Sequence, residues 1–237
     1  MKIPTRSRGG SPCRVLLFLL SLAAAVHGLH AGPAEVLLDG WLKAAGSLSA
    51  FEAKVVQTRH LKALQQPLVS TGKVCFVANG DFRWELGEPP QSVALRTGGG
   101  LLLLSPRLRR AEKIDLSQAA SGPARDLLGL LDVGFPRDPQ TFRERFELVE
   151  GKASVEAGTS RLDLRPKSAA ARKLLPAIRV ELDAAGFGLR ATEMTFADGS
   201  RLRTEFLDVV TNRPPDPERF RSPVDATWNV VEGGNRP

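Results

Sequence analysis

The chain has 237 residues, a formal net charge of +7, three histidines and two cysteines. Such a length suits one β-rich domain or two small ones. So few histidines and cysteines exclude a disulfide framework and the usual zinc spacings. The charge is unevenly placed. Lys2, Arg6, Arg8 and Arg14 precede an apolar run, Val15–Val26, which small residues and Leu29-His30-Ala31 follow. This is the layout of a secretory signal, and the run falls short of the ~20 apolar residues that span a bilayer. The expected cut follows Ala31, with Ala25 and Gly28 as alternative cut sites and a signal anchor as the competing reading. Residues 1–31 are thus read as a signal and 32–237 as a single domain. Losing four basic and no acidic residues lowers the charge to about +3, with the remaining signs interspersed, which argues against a nucleic-acid surface.

Cys13 lies in the signal, so Cys75 has no intramolecular partner in the mature chain. Its place inside an apolar strand favours a small buried hydrophobe over a reactive thiol. No cysteine follows the apolar run to accept an N-terminal lipid, so the expected product is a soluble, exported, periplasmic protein.

In chain order, Ala34–Ser47 carries Leu37, Leu38, Trp41 and Leu42 on one helical stripe. Phe51–Arg59 alternates as a half-buried strand, and Leu68–Val77 is a second one. Asn79-Gly80-Asp81 is a strong hairpin signal, because Asn and Gly tolerate positive φ. It leads into Phe82–Leu86, where Phe82, Trp84 and Leu86 face one way and Arg83 and Glu85 the other. Pro89-Pro90 interrupts the chain before Ser92–Thr97, with Val93 and Leu95 on one face. Gly98-Gly99-Gly100 reads as a hairpin turn, since no Gly-Lys-Ser/Thr follows to cradle phosphate. The four leucines of Leu101–Leu104 predict a strand covered on both faces, and Arg109–Ile114 closes the meander.

Pro123–Leu131 reads as a short, very apolar helix containing a glycine, which costs a helix interior about 1 kcal/mol. Pro139–Phe146 reads as another short helix, with Phe142 and Phe146 four apart on one face. Segments held so weakly suit a movable lid, although static helices plugging a sheet fit equally. Strands resume at Arg161–Arg165, Ala177–Asp183, Leu189–Phe196 and Arg201–Val209, the last two flanking an Asp198-Gly199 turn. The expected architecture is α+β: about ten antiparallel strands in a strongly curved, unclosed barrel, with an N-terminal helix and two short lid helices.

Catalytic chemistry is hard to assemble from what remains. His60 is the one histidine after the cut, next to Arg59 and near Lys62, and reads as a solvated loop residue. No Gly-x-Ser-x-Gly elbow is present. No cofactor or metal is expected, and no enzymatic activity.

Phe51-Glu-Ala-Lys-Val-Val-Gln57, Gly72 through Trp84 and Pro89, Leu164-Arg-Pro-Lys167, Asp198-Gly199 with Phe206 and Asn212, and Phe220 with Pro223 together resemble the outer-membrane lipoprotein carrier (LolA) family. The resemblance runs in order over nearly the whole mature chain. It implies an unclosed barrel lidded by helices around a cavity for acyl chains. It also implies a lipoprotein cargo received from an inner-membrane transporter and handed to an outer-membrane receptor. On this reading Phe51, Val55, Phe76, Phe82, Trp84, Leu95 and Leu103 line the cavity, and Leu127, Leu128, Leu130 and Leu131 form the lid of a monomeric carrier. The family usually has an arginine-proline pair before the aromatic strand, where this chain has Ala78-Asn79, which leaves room for a paralogue with another lipid cargo. The alternative is a cell-envelope sensor or scaffold domain built on the same half-barrel, with no transport role.

Overall fold

A computed structural model describes residues 32–115, 133–156, 158–183 and 187–233, with side chains for all of these except 150–156. The expected lid helix at Pro123–Leu131, with Leu127, Leu128, Leu130 and Leu131, lies outside the described residues. Twelve strands form a single sheet: β1 Ala50–His60, β2 Leu68–Val77, β3 Phe82–Leu86, β4 Ser92–Thr97, β5 Gly100–Ser105, β6 Arg110–Asp115, β7 Phe146–Glu156, β8 Thr159–Pro166, β9 Ala177–Asp183, β10 Leu189–Thr195, β11 Arg201–Thr211 and β12 Asn229–Gly233. Three α-helices lie wholly within the described residues: α1 Pro33–Gly46, α2 Pro139–Arg145 and α3 Ala169–Leu174. Among the described residues no helix is long and apolar enough to cross a membrane.

The strand order is β12-β6-β5-β4-β3-β2-β1-β11-β10-β9-β8-β7. Two antiparallel meanders, β1–β6 and β7–β11, therefore meet at one seam, where β1 pairs with β11. The ends, β12 and β7, do not pair with each other, and the barrel stays open. The α+β, unclosed-barrel expectation holds, with twelve strands rather than ten. β7 and β12 were not foreseen, and β12 runs parallel to β6. At the seam the register shifts between Glu52 and Lys54. The extra residues on β11 include Asp208, whose φ is 51°, and its carboxylate pairs with Lys54 at 2.8 Å. This is a bulge, which bends a strand locally.

Period-two alternation assigns the two faces. Trp84 opposes Val74 and Ala94, while Phe82 opposes Phe76 and Arg96. Inward side chains from both meanders join α1 in one buried cluster that includes Leu38, Trp41, Leu42, Phe51, Val55, Phe76, Phe82, Leu101, Leu164, Ile178 and Phe206. Pro at the first turn of α1 fits where an N–H would have no helical partner. Ser47 Oγ donates to Ala44 O at the other end (2.7 Å). Gly40 sits mid-helix because a Cβ there would run into the Phe187 ring. Gly72 is required for a similar reason, since a Cβ would collide with the Glu85 carbonyl oxygen and hold β2 and β3 apart.

The outward face differs between the two meanders. Over β4–β6 it is apolar: Val93, Leu95, Leu104 and Ala111 pack under Phe220, Val224 and Trp228 of the C-terminal segment. That segment is why the four consecutive leucines have both faces covered. Over β8–β11 the outward face is ionic instead. Arg179 pairs with Asp163 (2.9 Å) and Glu193 (3.5 Å), and Arg203 grips both oxygens of Glu181 (3.0 and 2.8 Å).

Candidate functional site

The inward face does not fill completely. A cavity of about 210 Å3 opens between the C-terminal half of α1, the ends of β1, β2 and β11, and the start of β10. Its walls include Trp41, Ala45, Leu48, Phe51, Phe76, Phe187 and Leu189, so its lining is strongly apolar. The Gly134–Arg137 segment closes one side.

Phe135 is the central element of that closure. Its ring stacks on Phe76 with centroids 3.9 Å apart and planes 26° from parallel. It also meets Phe51 edge-on at 4.7 Å and Phe206 at 5.6 Å. Phe76 continues the aromatic chain to Phe82 (5.2 Å) and Trp84 (6.3 Å). An isolated Gly-Phe-Pro between helices has no periodicity to mark it. The signal that could have singled it out is the flanking of one aromatic by Gly134 and Pro136, which suits a short extended insertion rather than a helix.

Of the expected wall residues, Phe51 and Phe76 border the cavity directly. Val55 and Phe82 are buried in the same inward cluster, with Trp84 and Leu103 half-buried against it. Leu95 is a correction. It lies opposite Arg83, not opposite Phe82 or Trp84, and is fully buried on the outward face under the C-terminal segment. Residues not foreseen for the wall are Trp41, Phe135, Phe187, Leu189 and, behind them, Phe206.

The rim is polar and tied. Asn212 Oδ1 accepts from the Ser49 N–H at 2.9 Å, joining the end of β11 to the start of β1. The Ala78 N–H donates to Ser49 O at 2.9 Å. In the following turn Asn79 Oδ1 accepts from the Asp81 N–H (2.9 Å), and Gly80 has φ of 101°. No arginine of the turn itself is available, but a guanidinium is present: Arg137 Nη1 occupies the space that a Cβ at Gly80 would need. Below it, α2 is docked on α1 by Trp41 against Phe142, edge-on at 5.4 Å, and by Arg143 with Glu35 (3.1 Å) and Asp39.

Elsewhere, Cys75 is buried on the outward side of β2, and burial raises its thiol pKa first, with the Glu52 carboxylate adding to the effect. His60 is exposed at the end of β1. Among the described residues no group of three or more His, Cys, Asp or Glu side chains could hold a metal ion. What the site offers chemically is apolar volume, a ring that closes it and a cationic rim.

The sequence profile of the outer membrane lipoprotein carrier protein LolA family matches residues 46–223. A comparison with curated proteins finds no match. Among solved structures, an uncharacterized conserved protein from Thermus thermophilus is 12% identical over 84% of this chain and 98% of that one, with a TM-score of 0.49. A LolA superfamily protein from Nitrosomonas europaea is 11% identical over 79% of this chain and 97% of that one, with a TM-score of 0.42. A chain of the Pseudomonas aeruginosa MucA/MucB complex is 14% identical over 80% of this chain, with a TM-score of 0.44, and this chain spans 60% of its length. With its profile matched from the end of α1 to beyond β11, the chain belongs to the outer membrane lipoprotein carrier protein LolA family.

Proposed function

We propose that this protein is an exported periplasmic carrier that takes acyl chains of a lipoprotein, or of a related lipid, into the interior of the half-barrel and shuttles them from the inner to the outer membrane. An inner-membrane transporter would load it and an outer-membrane receptor unload it. The observation that carries the reading is the apolar cavity closed by Phe135. At about 210 Å3 it is smaller than the ~300–1,000 Å3 of typical ligand pockets, so a full acyl chain enters only when something yields. The ring of Phe135, held by three aromatic contacts and placed between the two meanders, is the group whose departure joins this cavity to the space beside Phe51, Phe76 and Phe206. Leu127, Leu128, Leu130 and Leu131 would move with it as the outer cover.

Energetics favour such a closure. Burying a methylene gains about 0.8 kcal/mol, so a 16-carbon chain offers roughly 12 kcal/mol gross. A carrier retaining all of that could not release its cargo. The cost of displacing Phe135 and its cover offsets part of the gain and returns it when the chain leaves. Titration with a fluorescent fatty acid tests the reading. Saturable binding that is lost in Trp84→Asp or Leu128→Asp, with the circular dichroism spectrum retained, supports a carrier. Absence of binding by the folded wild type refutes it and leaves the envelope sensor or scaffold reading.

A further inference from the structure

A second hollow, of about 190 Å3, lies beside the apolar cavity. Arg96, Arg137 and Arg145 surround it, with Thr141, and Asp138 is the one acidic residue in its lining. The Asp138 carboxylate caps α2, its Oδ2 accepting the Thr141 N–H at 2.7 Å, and is one negative charge against three guanidinium groups in the lining. Asp81, the nearest acid along β3, is likewise engaged, accepting from the Gly98 N–H (3.3 Å) and from Asn79 Nδ2 (3.0 Å). Of the other charges on α2, Arg143 pairs with Glu35 and Asp39 on α1, and Glu144 accepts from Gln140.

Arg96 is the informative member. It stands on the inward face of β4, directly between Phe82 on β3 and Leu101 on β5, which are 2% and 0% exposed. It is half-buried, and among the described residues it makes no ion pair or side-chain hydrogen bond. A cation partly removed from water on an apolar face is unfavourable unless an anion meets it. Arg137 borders both hollows. The strip Gly134–Asp138 is thus their common wall, with Phe135 on the apolar side and Pro136 and Asp138 on the basic side.

We propose that this basic hollow binds the phosphate or carboxylate head of an anionic amphiphile whose acyl chain occupies the adjoining apolar cavity. The assignment rests on the acyl-chain reading above and narrows it from any acylated cargo to one with a negative head. A guanidinium suits the purpose, and that of Arg96 has paired N–H donors to offer to two oxygens of one anion, with Arg137 and Arg145 adding positive charge to the walls. The hollow exceeds the volume of several waters, at about 30 Å3 each, and so has room for a phosphate with residual hydration.

The test uses the purified protein and probes sharing one 16-carbon chain: a fluorescent fatty acid, its neutral methyl ester and a lysophosphatidic acid, together with inorganic phosphate alone. The wild type is expected to bind the two anionic probes at least tenfold more tightly than the ester. Arg96→Gln and Arg145→Gln should each reduce that preference severalfold and leave ester affinity within twofold of wild type. Arg96→Lys, which keeps the charge, should retain part of the preference and so separates lost charge from lost fold. Equal wild-type affinity for acid and ester overturns the head-group site while leaving acyl binding intact. An undiminished preference in both glutamine variants, with native melting curves, overturns it as well. Failure of every acylated probe to bind overturns the acyl reading itself. Arginine-dependent binding of inorganic phosphate without acyl binding replaces the amphiphile with a free anion and overturns the proposal.

Discussion

Replacing Phe135 with alanine separates a plug from a wall. The ring makes one stacked and two edge contacts, at 3.9, 4.7 and 5.6 Å, and each aromatic pair contributes about 0.5–1.5 kcal/mol beyond area burial. A fully buried Phe→Ala change costs about 3–5 kcal/mol. Phe135 is half-buried and already borders a cavity, so a loss of about 2–3 kcal/mol is expected. At a urea slope of ~2 kcal/mol/M this shifts the unfolding midpoint by about 1 M. If the ring has to leave before an acyl chain enters, those same contacts are broken during binding by the wild type and are missing from the start in the variant. Acyl affinity should then rise by the amount that stability falls, about 30- to 140-fold at 1.4 kcal/mol per decade. Parallel urea melts and fatty-acid titrations read the two quantities. A destabilised Phe135→Ala protein that binds acyl chains no better than wild type, or more weakly, refutes the displacement argument: the ring would then be part of the wall that the chain contacts.

Two further outcomes follow from the outward face. Trp228→Ala uncovers Val93, Leu95 and Leu104 and should cost about 1–3 kcal/mol in a urea melt. It should leave fatty-acid affinity unchanged, because that cluster is on the far side of the sheet from the cavity. Glu181→Gln removes one carboxylate oxygen from the Arg203 fork and should cost about 1–2 kcal/mol at neutral pH. The hydrogen bond from Arg203, ahead of the charge attraction, lowers the Glu181 pKa below its ordinary 4.5. A depressed carboxylate stabilises the fold above its unfolded value, and that contribution disappears as pH falls through the folded value. The stability gap between wild type and variant should therefore shrink as the pH falls below the ordinary carboxylate value of 4.5, and a gap that does not shrink on acidification would count against this account.

Local pattern carried most of the sheet. Alternation and the Asn-Gly and Asp-Gly turns placed ten of the strands, and the same alternation put Phe82 and Trp84 on one face. Leu95 shows where that logic stops. Within β4 it was correctly grouped with Val93, but the phase of β4 relative to β3 depends on the pairing across the Pro89-Pro90 connection. The observed register sets Leu95 against Arg83. β7 escaped because its register on β8 shifts between Leu148 and Ala153, which destroys any period of two. Phe142 and Phe146, read as one helical face, instead straddle the boundary of α2 and β7 and still touch, with ring centroids 5.0 Å apart. β12 is a largely exposed strand added in parallel to the free edge of β6. The site was half legible. Its walls came from strand faces, whereas Phe135 and the arginine hollow are products of tertiary folding between segments far apart in sequence.

The seam between β1 and β11 also governs when the protein can act. Strands β1–β6 can zip together from neighbouring hairpins, as can β7–β11, but the two meanders share their longest interface between residues more than 140 positions apart. Contacts of such sequence separation form late, because a long loop has to be closed first. The cavity has walls from both sides of that seam, with Phe51 and Phe76 from one meander and Leu189 and Thr211 from the other. It comes into being only when the seam closes. Under the proposed export and carrier role, a chain that emerges N-terminus first would have no cavity until its eleventh strand arrives, and a half-made protein could capture no cargo.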